Sequence, residues 1–391
     1  MIKLIRNGTV FSPEKLGKKD ILITDKRIAY VGESLEVPER FVDVEVIDAD
    51  GKYVVPGFID SHVHIMGGGG EGGFKTRTPE LMLSEITCGG ITTVIGVIGT
   101  DGTTRTMSAL VAKANALEEE GITCFVHTGS YQVPVKTLTG SIEQDILLID
   151  RIIGVGEIAI SDHRSSQPTI EELTRLSSDA RVGGLLSGKA GIVNFHIGDS
   201  PTRLTMLEEI VNTTDIPITQ FHPTHINRNR ELFEDAIHFA KKGGYVDFTT
   251  STIQKFLDHG EVKCSRGLKE MLESGVPIEQ ITFTSDGHGS LPEFNENGEF
   301  IGLGIGQVTS LYEEVRSAVL HEGVQLEQAL QVVTSTPAKI LKLDRKGRIK
   351  PGNDADLVIL DADRLEIDSV IAKGKVMVQD KHPLIKGTFE K

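Results

Sequence analysis

From Gly57 onward the chain alternates apolar, strand-like runs with polar loops and amphipathic helical stretches, and this alternation leaves the fewest folds open. Strand-like runs read at 92–98, 123–127, 158–161, 192–197, 218–222, 245–249 and 281–284, and the run carrying His62 makes eight. Helix starts are marked by Thr78 before Pro79, by the Ser141/Gln144 and Thr169/Glu172 pairs, and by Ser200 before Pro201. Two further helices are expected at about 307–321 and 325–333. Parallel neighbours need a crossover between them, so alternating β and α units imply a parallel sheet, and eight units imply an α/β fold closed into a (β/α)8 TIM-like barrel over residues 56–345.

Outside that span the rhythm changes to short strands: 3–5, 9–11, 21–24 and 27–32, with turns at Asn7-Gly8 and Asp25-Lys26, and then stretches at 355–360 and 370–378. Neither end is large enough for a good core alone. The expectation is one small composite β-sandwich built from residues 1–55 plus 346–391.

A formal charge of −15 and a pI of 5.3 argue against a nucleic-acid partner, because such binding rests on clustered Lys and Arg. Cys88, Cys124 and Cys264 are odd in number and far apart, which fits neither a disulfide framework nor a Cys-x-x-Cys metal site. The N-terminal run is broken at Asn7-Gly8, and no apolar run reaches the ~18 residues of a membrane span. A soluble, cytoplasmic protein acting on a small molecule, with no nucleic acid and no membrane as partner, is the expectation.

His62 and His64 are two apart, so in an extended strand they share a face and can present two imidazoles to one metal ion. A Gly67-Gly68-Gly69-Gly70 loop carrying the lone acid Glu71 follows them. Barrel active sites lie at the C-terminal strand ends, so ligands should recur at multiples of a unit of about 31 residues. From His64 it is three units to Glu157, one more to His196, one to His225 and two to Asp286, which assigns the candidates to strands 1, 4, 5, 6 and 8. Four histidines and two carboxylates suffice for two divalent metals sharing a bridging ligand.

The 56–64 segment Pro-Gly-Phe-Ile-Asp-Ser-His-Val-His, the single histidines on strands 5 and 6, the aspartate on strand 8 and the 347–356 segment Gly-Arg-Ile-Lys-Pro-Gly-Asn-Asp-Ala-Asp resemble the amidohydrolase superfamily of metal-dependent hydrolases. Residues 67–71, Ser161-Asp162-His163-Arg164, 223–229 and Ser285-Asp286-Gly287-His288-Gly289-Ser290 resemble, more narrowly, the branch that cleaves isoaspartyl (β-aspartyl) dipeptides. The resemblance implies zinc as the metal, with His62 and His64 on one ion, His196 and His225 on the other, and a hydroxide between them. It implies Asp286 as metal-side proton acceptor and donor, and Tyr131 as donor to the developing oxyanion. Glu71 would bind the substrate ammonium, and Arg164 and Arg228 the leaving residue's carboxylate. Ser290, Thr100 and loop amides such as that of Gly69 would take the aspartyl α-carboxylate. A homo-oligomer, an octamer in this branch, is implied as well.

One departure is visible. Where the branch carries a carboxylated lysine on strand 4, this chain reads Gly154-Val155-Gly156-Glu157. Related superfamily members bridge with glutamate, and Glu157 is expected to do so, with Gly156 permitting a bulge or close approach because the donor reaches less far. Rival readings are a cyclic-amide hydrolase or deaminase, for which three charged anchors have no use, and a non-catalytic barrel scaffold, against which the full ligand set speaks. His127, His163, His222, His238, His259, His288, His321 and His382 read as ordinary histidines, although His222 shares a strand with His225 and His163 adjoins Arg164.

Overall fold

The computed structural model describes residues 2–36, 43–294 and 300–391. Eight parallel strands carry the site, at Phe58–Val63, Ile91–Gly96, Thr123–Thr128, Ile152–Ile160, Ile192–Ile197, Phe221–Thr224, Val246–Thr249 and Ile281–Thr284. The first six pair in chain order as one sheet and the last two pair with each other. The sheet curls into a barrel: the His64 amide donates to the Gly287 carbonyl at 2.9 Å, tying the loop after the eighth strand to the first. Helices cover the outer face of the barrel and its own inward side chains fill the inner one, so every strand but the third is buried throughout.

Both termini contribute to one nine-stranded sheet. Strand Lys52–Pro56 lies between Ile2–Phe11 and Leu357–Asp361, and its antiparallel register (Pro56 opposite Leu357) joins the two chain ends. A core of its own, including Ile5, Ile21, Ile23, Val54, Leu357 and Ile359, fills this region. Lys52–Pro56 runs straight through Gly57 into the first barrel strand. A Cβ at Gly57 would meet Thr92 Oγ1 at 2.3 Å, so the glycine is what allows the sheet and the barrel to approach here.

Several local expectations are corrected. Asn7-Gly8 is no turn: Asn7 (φ 63°) lies inside the single strand Ile2–Phe11, where the register shifts between Ile5 and Gly8. Thr78 caps no helix, because its hydroxyl is spent accepting from the Gly68 amide and donating to the His288 carbonyl; the helix begins later, at Leu83–Cys88. Ser200 likewise precedes a turn, and the helix is Thr205–Thr213. Ser141 and Thr169 do cap their helices. The fourth strand starts at Ile152, earlier than the sequence suggested, which puts Glu157 inside it. A hairpin of Ser290–Phe294 and Phe300–Ile305, absent from the sequence reading, follows the eighth strand. Among the described residues no helix is long and apolar enough to cross a membrane.

Candidate active site

The first strand delivers His62 into the barrel and His64 to its rim, both buried. Asn194 sets the tautomer of His62. The Asn194 amide nitrogen donates to the His222 carbonyl (3.1 Å), so its oxygen faces His62 Nδ1 at 2.9 Å and accepts that proton, leaving a lone pair on Nε2. His62 Nε2 lies 3.3 Å from Glu157 Oε2 and 3.7 Å from Asp286 Oδ1. His64 Nε2 lies 3.3 Å from Glu157 Oε1 and 3.1 Å from Asp286 Oδ1. From the other side His196 Nδ1 comes to 3.1 Å of Glu157 Oε2, and His225 Nε2 to 3.6 Å. His225 is turned by the hydrogen bond of its Nδ1 with Thr249 Oγ1. Glu157 therefore faces all four histidines.

Its position follows from backbone. Val193 pairs with Val155 but Phe195 with Ile158, so the fourth strand holds one extra residue at Gly156-Glu157, a bulge. Gly156 has φ +150°, and a Cβ there would sit 2.9 Å from the Asn194 carbonyl oxygen. His225 (φ 65°) and Asp286 (φ 52°) also occupy the left-handed region, where non-glycine residues are uncommon and tend to serve a site.

The donors fit divalent cations. Two three-membered groups, His62/His64/Asp286 and His62/Glu157/His225, each gather ligand atoms within 4.8 Å of one another, all from buried residues. His62 Nε2, Glu157 Oε1 and Asp286 Oδ1 are buried without a hydrogen-bond partner, a costly arrangement unless an ion compensates. Charge points the same way. Burial alone would lower the His62 and His64 pKa values, yet the carboxylates of Glu157 and Asp286 pull them up to about 9 and about 10. Burial alone would raise Glu157, but His62, His196 and His225 hold it well below the usual range. Buried carboxylates here demand positive charge between them.

Above the cluster opens a cavity of about 510 Å³ whose lining includes Tyr131, Asp162, Arg164, Arg228, Asp286 and Ser290. Tyr131 lies beyond the third strand with its hydroxyl 2.8 Å from His196 Nδ1, and burial pushes its pKa well above 10, so the phenol stays a donor. A smaller adjoining cavity brings Gly69, Glu71 and Thr100 beside His64, Asp286 and Ser290. Glu71 Oε1 accepts from Ser290 Oγ (3.0 Å) and Thr100 Oγ1 (3.3 Å) and lies 3.4 Å from Arg164 Nη1. Two glycines make this loop possible: at Gly67 (φ +73°) and Gly69 (φ +72°) a Cβ would meet the Thr78 and Thr76 carbonyl oxygens at 2.2 and 2.5 Å. Arg105, buried, braces the same loop through the Gly68 carbonyl at 2.7 Å.

Asn194, Asp162, Arg105 and Thr249 were not found from sequence. Asp162 lies within Ser161-Asp162-His163-Arg164, where its charge is the available signal; the others pack against the site only through the fold. His196 and His222 both stand outside the two ligand groups, but His196 faces Glu157 whereas His222 bonds Thr282 Oγ1 (2.8 Å), and burial depresses His222 to about 3. His163 is exposed and lines the large cavity.

An α/β barrel with a buried His–Glu–Asp cluster at its C-terminal strand ends defines a class, and the amidohydrolase family model matches residues 53–377. The chain belongs to that family. It is 48% identical to the β-aspartyl dipeptidase of Fervidobacterium islandicum AW-1, solved in complex with β-Asp-Leu dipeptide, over 98% of both chains with a TM-score of 0.91. A D-hydantoinase structure shares the fold at 18% identity, covering 100% of this chain and 98% of that one, with a TM-score of 0.71. The dihydroorotase of Lactobacillus gasseri is 24% identical over 92% of this chain and 89% of its own length.

Proposed function

We propose that this chain is a metal-dependent dipeptidase hydrolysing β-aspartyl (isoaspartyl) dipeptides. The observation that carries the reading is the meeting of charged anchors of both signs, Glu71, Arg164 and Arg228, around the His–Glu–Asp cluster. A β-aspartyl dipeptide has one ammonium and two carboxylates, whereas a cyclic amide or nucleobase offers little for such a set. The 48%-identical relative, crystallised with β-Asp-Leu, supports the same choice over the hydantoinase and dihydroorotase activities of more distant relatives.

Two divalent ions per chain, zinc by resemblance, would be held by His62 and His64 on one side and by His196 and His225 on the other, with Glu157 shared. Bound there, they would lower the pKa of water and polarise the scissile carbonyl. Asp286 takes the proton of the attacking water and passes it to the leaving amine; His64 and His225 keep its carboxylate ionised, and so able to accept, against the effect of its burial. Tyr131 donates its hydroxyl proton in a hydrogen bond to the oxyanion. Glu71 receives the α-ammonium, Ser290, Thr100 and the Gly69 amide receive the aspartyl carboxylate, and Arg164 and Arg228 hold the leaving residue's carboxylate as planar forks. The reading extends to a composite β-sandwich of residues 1–55 plus 346–391 beside the 56–345 barrel, a cytoplasmic location and a homo-oligomer.

Apo-protein reconstituted with zinc in bicarbonate-free buffer should bind two ions per chain and cleave β-Asp-Leu. A requirement for bicarbonate would remove Glu157 as the shared ligand. Ring opening of a hydantoin or dihydroorotate with no cleavage of β-Asp-Leu would overturn the substrate.

A further inference from the structure

Asp162 has no role in the mechanism above, yet it joins two parts of it. Its side chain is 4% exposed, directly beyond the fourth strand. Oδ1 accepts from Arg164 Nε at 3.0 Å and from the Arg164 backbone amide at 2.7 Å, while Oδ2 accepts from Arg164 Nη2 at 2.7 Å. This grips one edge of the guanidinium, while the remaining corner, Nη1, donates to Glu71 Oε1 at 3.4 Å. Oδ2 also lies 3.0 Å from His196 Nε2, nearer than Arg164 Nη2 at 3.3 Å and Arg228 Nη2 at 3.5 Å, and is the sole acceptor of the three. The opposite ring nitrogen, Nδ1, is the one that faces Glu157 at 3.1 Å.

We infer that Asp162 is a positioning residue serving the metal centre and the leaving-residue clamp at once. Accepting a proton from His196 Nε2 fixes the tautomer in which Nδ1 carries the lone pair toward Glu157, the arrangement by which a carboxylate behind a ligating imidazole orients it and raises its basicity. The other bonds fix which edge of Arg164 meets substrate, so one carboxylate sets the spacing between the hydrolytic centre and the guanidinium. An asparagine cannot do both. Its amide group would turn a donor toward His196 Nε2 or toward Arg164, and the first choice drives the imidazole proton to Nδ1, the wrong atom. The clamp half of this inference rests on the dipeptidase reading; the metal half does not.

The test uses the full-length holoenzyme and its Asp162→Asn and Asp162→Glu variants. Zinc affinity, read by chelator competition without substrate, should fall about 10- to 100-fold in Asp162→Asn. With zinc restored, KM for β-Asp-Leu should rise about tenfold or more, while KM for the C-terminally amidated peptide, which has no carboxylate for Arg164, should change little. Asp162→Glu should recover part of both. Unchanged zinc affinity would refute the tautomer role. Equal losses on free and amidated peptides, together with a lowered unfolding temperature, would mean that Asp162 only holds the loop and would overturn the clamp role. If the native enzyme leaves β-Asp-Leu untouched, the substrate reading fails, while the zinc measurement still decides the first half.

Discussion

At the scale of single residues, His62 and His225 each have one ring nitrogen committed and one left over. His62 spends Nδ1 on Asn194 and His225 spends Nδ1 on Thr249, so their Nε2 atoms converge on Glu157. Asp286 keeps Oδ1 free of hydrogen bonds among these ligands. Asp286→Asn should therefore retain zinc but lose about 10² to 10⁴ in kcat, because an amide cannot shuttle a proton; near-normal turnover with stoichiometric metal would remove it from that role. Glu261 gives a pH prediction. It lines the large cavity, and burial, with some repulsion from Asp199 and Glu314, lifts its pKa from 4.5 to about 7 against the pull of Thr252 and Arg228. A carboxyl whose folded pKa is raised contributes its stability fully below the unfolded value, and that contribution is lost as pH rises through the folded one. Glu261→Gln cannot ionise, so it should gain stability relative to the native protein between about pH 5 and pH 8, by at most about 3 kcal/mol. Denaturation midpoints of both proteins across that range check it, and parallel curves would contradict the buried-carboxyl account.

At the scale of elements, the decisive feature is the bulge in the fourth strand. On the proposed reading Glu157 bridges with a side chain shorter than a carboxylated lysine and needs the backbone closer, a need that the extra residue opposite Asn194 fits. Gly156→Ala places a methyl 2.9 Å from both the Asn194 Cβ and its carbonyl oxygen at a φ that alanine rarely adopts. The expected outcome is a loss of about 1 to 3 kcal/mol in chemical denaturation, with less than two zinc ions retained after dialysis. Full metal content in a destabilised variant would separate the bulge from the positioning of Glu157. The hairpin after the eighth strand shows the limit of reading elements from sequence. Ser290 was legible as a site residue from its neighbours in the motif, but the strand it begins was not, since Pro292 and Glu293 break any alternation of apolar and polar positions.

At the scale of the whole molecule, the barrel and the terminal sheet are locked together by a buried cation. Lys346 Nζ donates to Asp354 (2.8 Å), Asp356 (2.5 Å) and Thr123 (2.7 Å), so a residue of the C-terminal segment is fastened to the start of the third barrel strand. Lys346→Met leaves two carboxylates with less compensation and should cost about 3 to 5 kcal/mol, partly restored by also replacing Asp356 with leucine; additive losses in the double variant would argue against a shared network. Sequence alone determined the alternation of elements, and with it the barrel, because a parallel sheet buried on both faces writes itself as apolar runs at regular spacing. It also singled out His62, His64, Glu157, His196, His225 and Asp286 by their recurrence at the period of the unit, and the fold brings these six side chains to one centre. Only tertiary structure decided what lies between those positions. Which nitrogen of each imidazole is free depends on Asn194, Thr249 and Asp162, and the shape of the glycine loop depends on Thr78 and Arg105. These contacts join residues from different strands and loops at no fixed spacing, so no periodicity records them; they exist because the closed barrel points its strand ends at one centre.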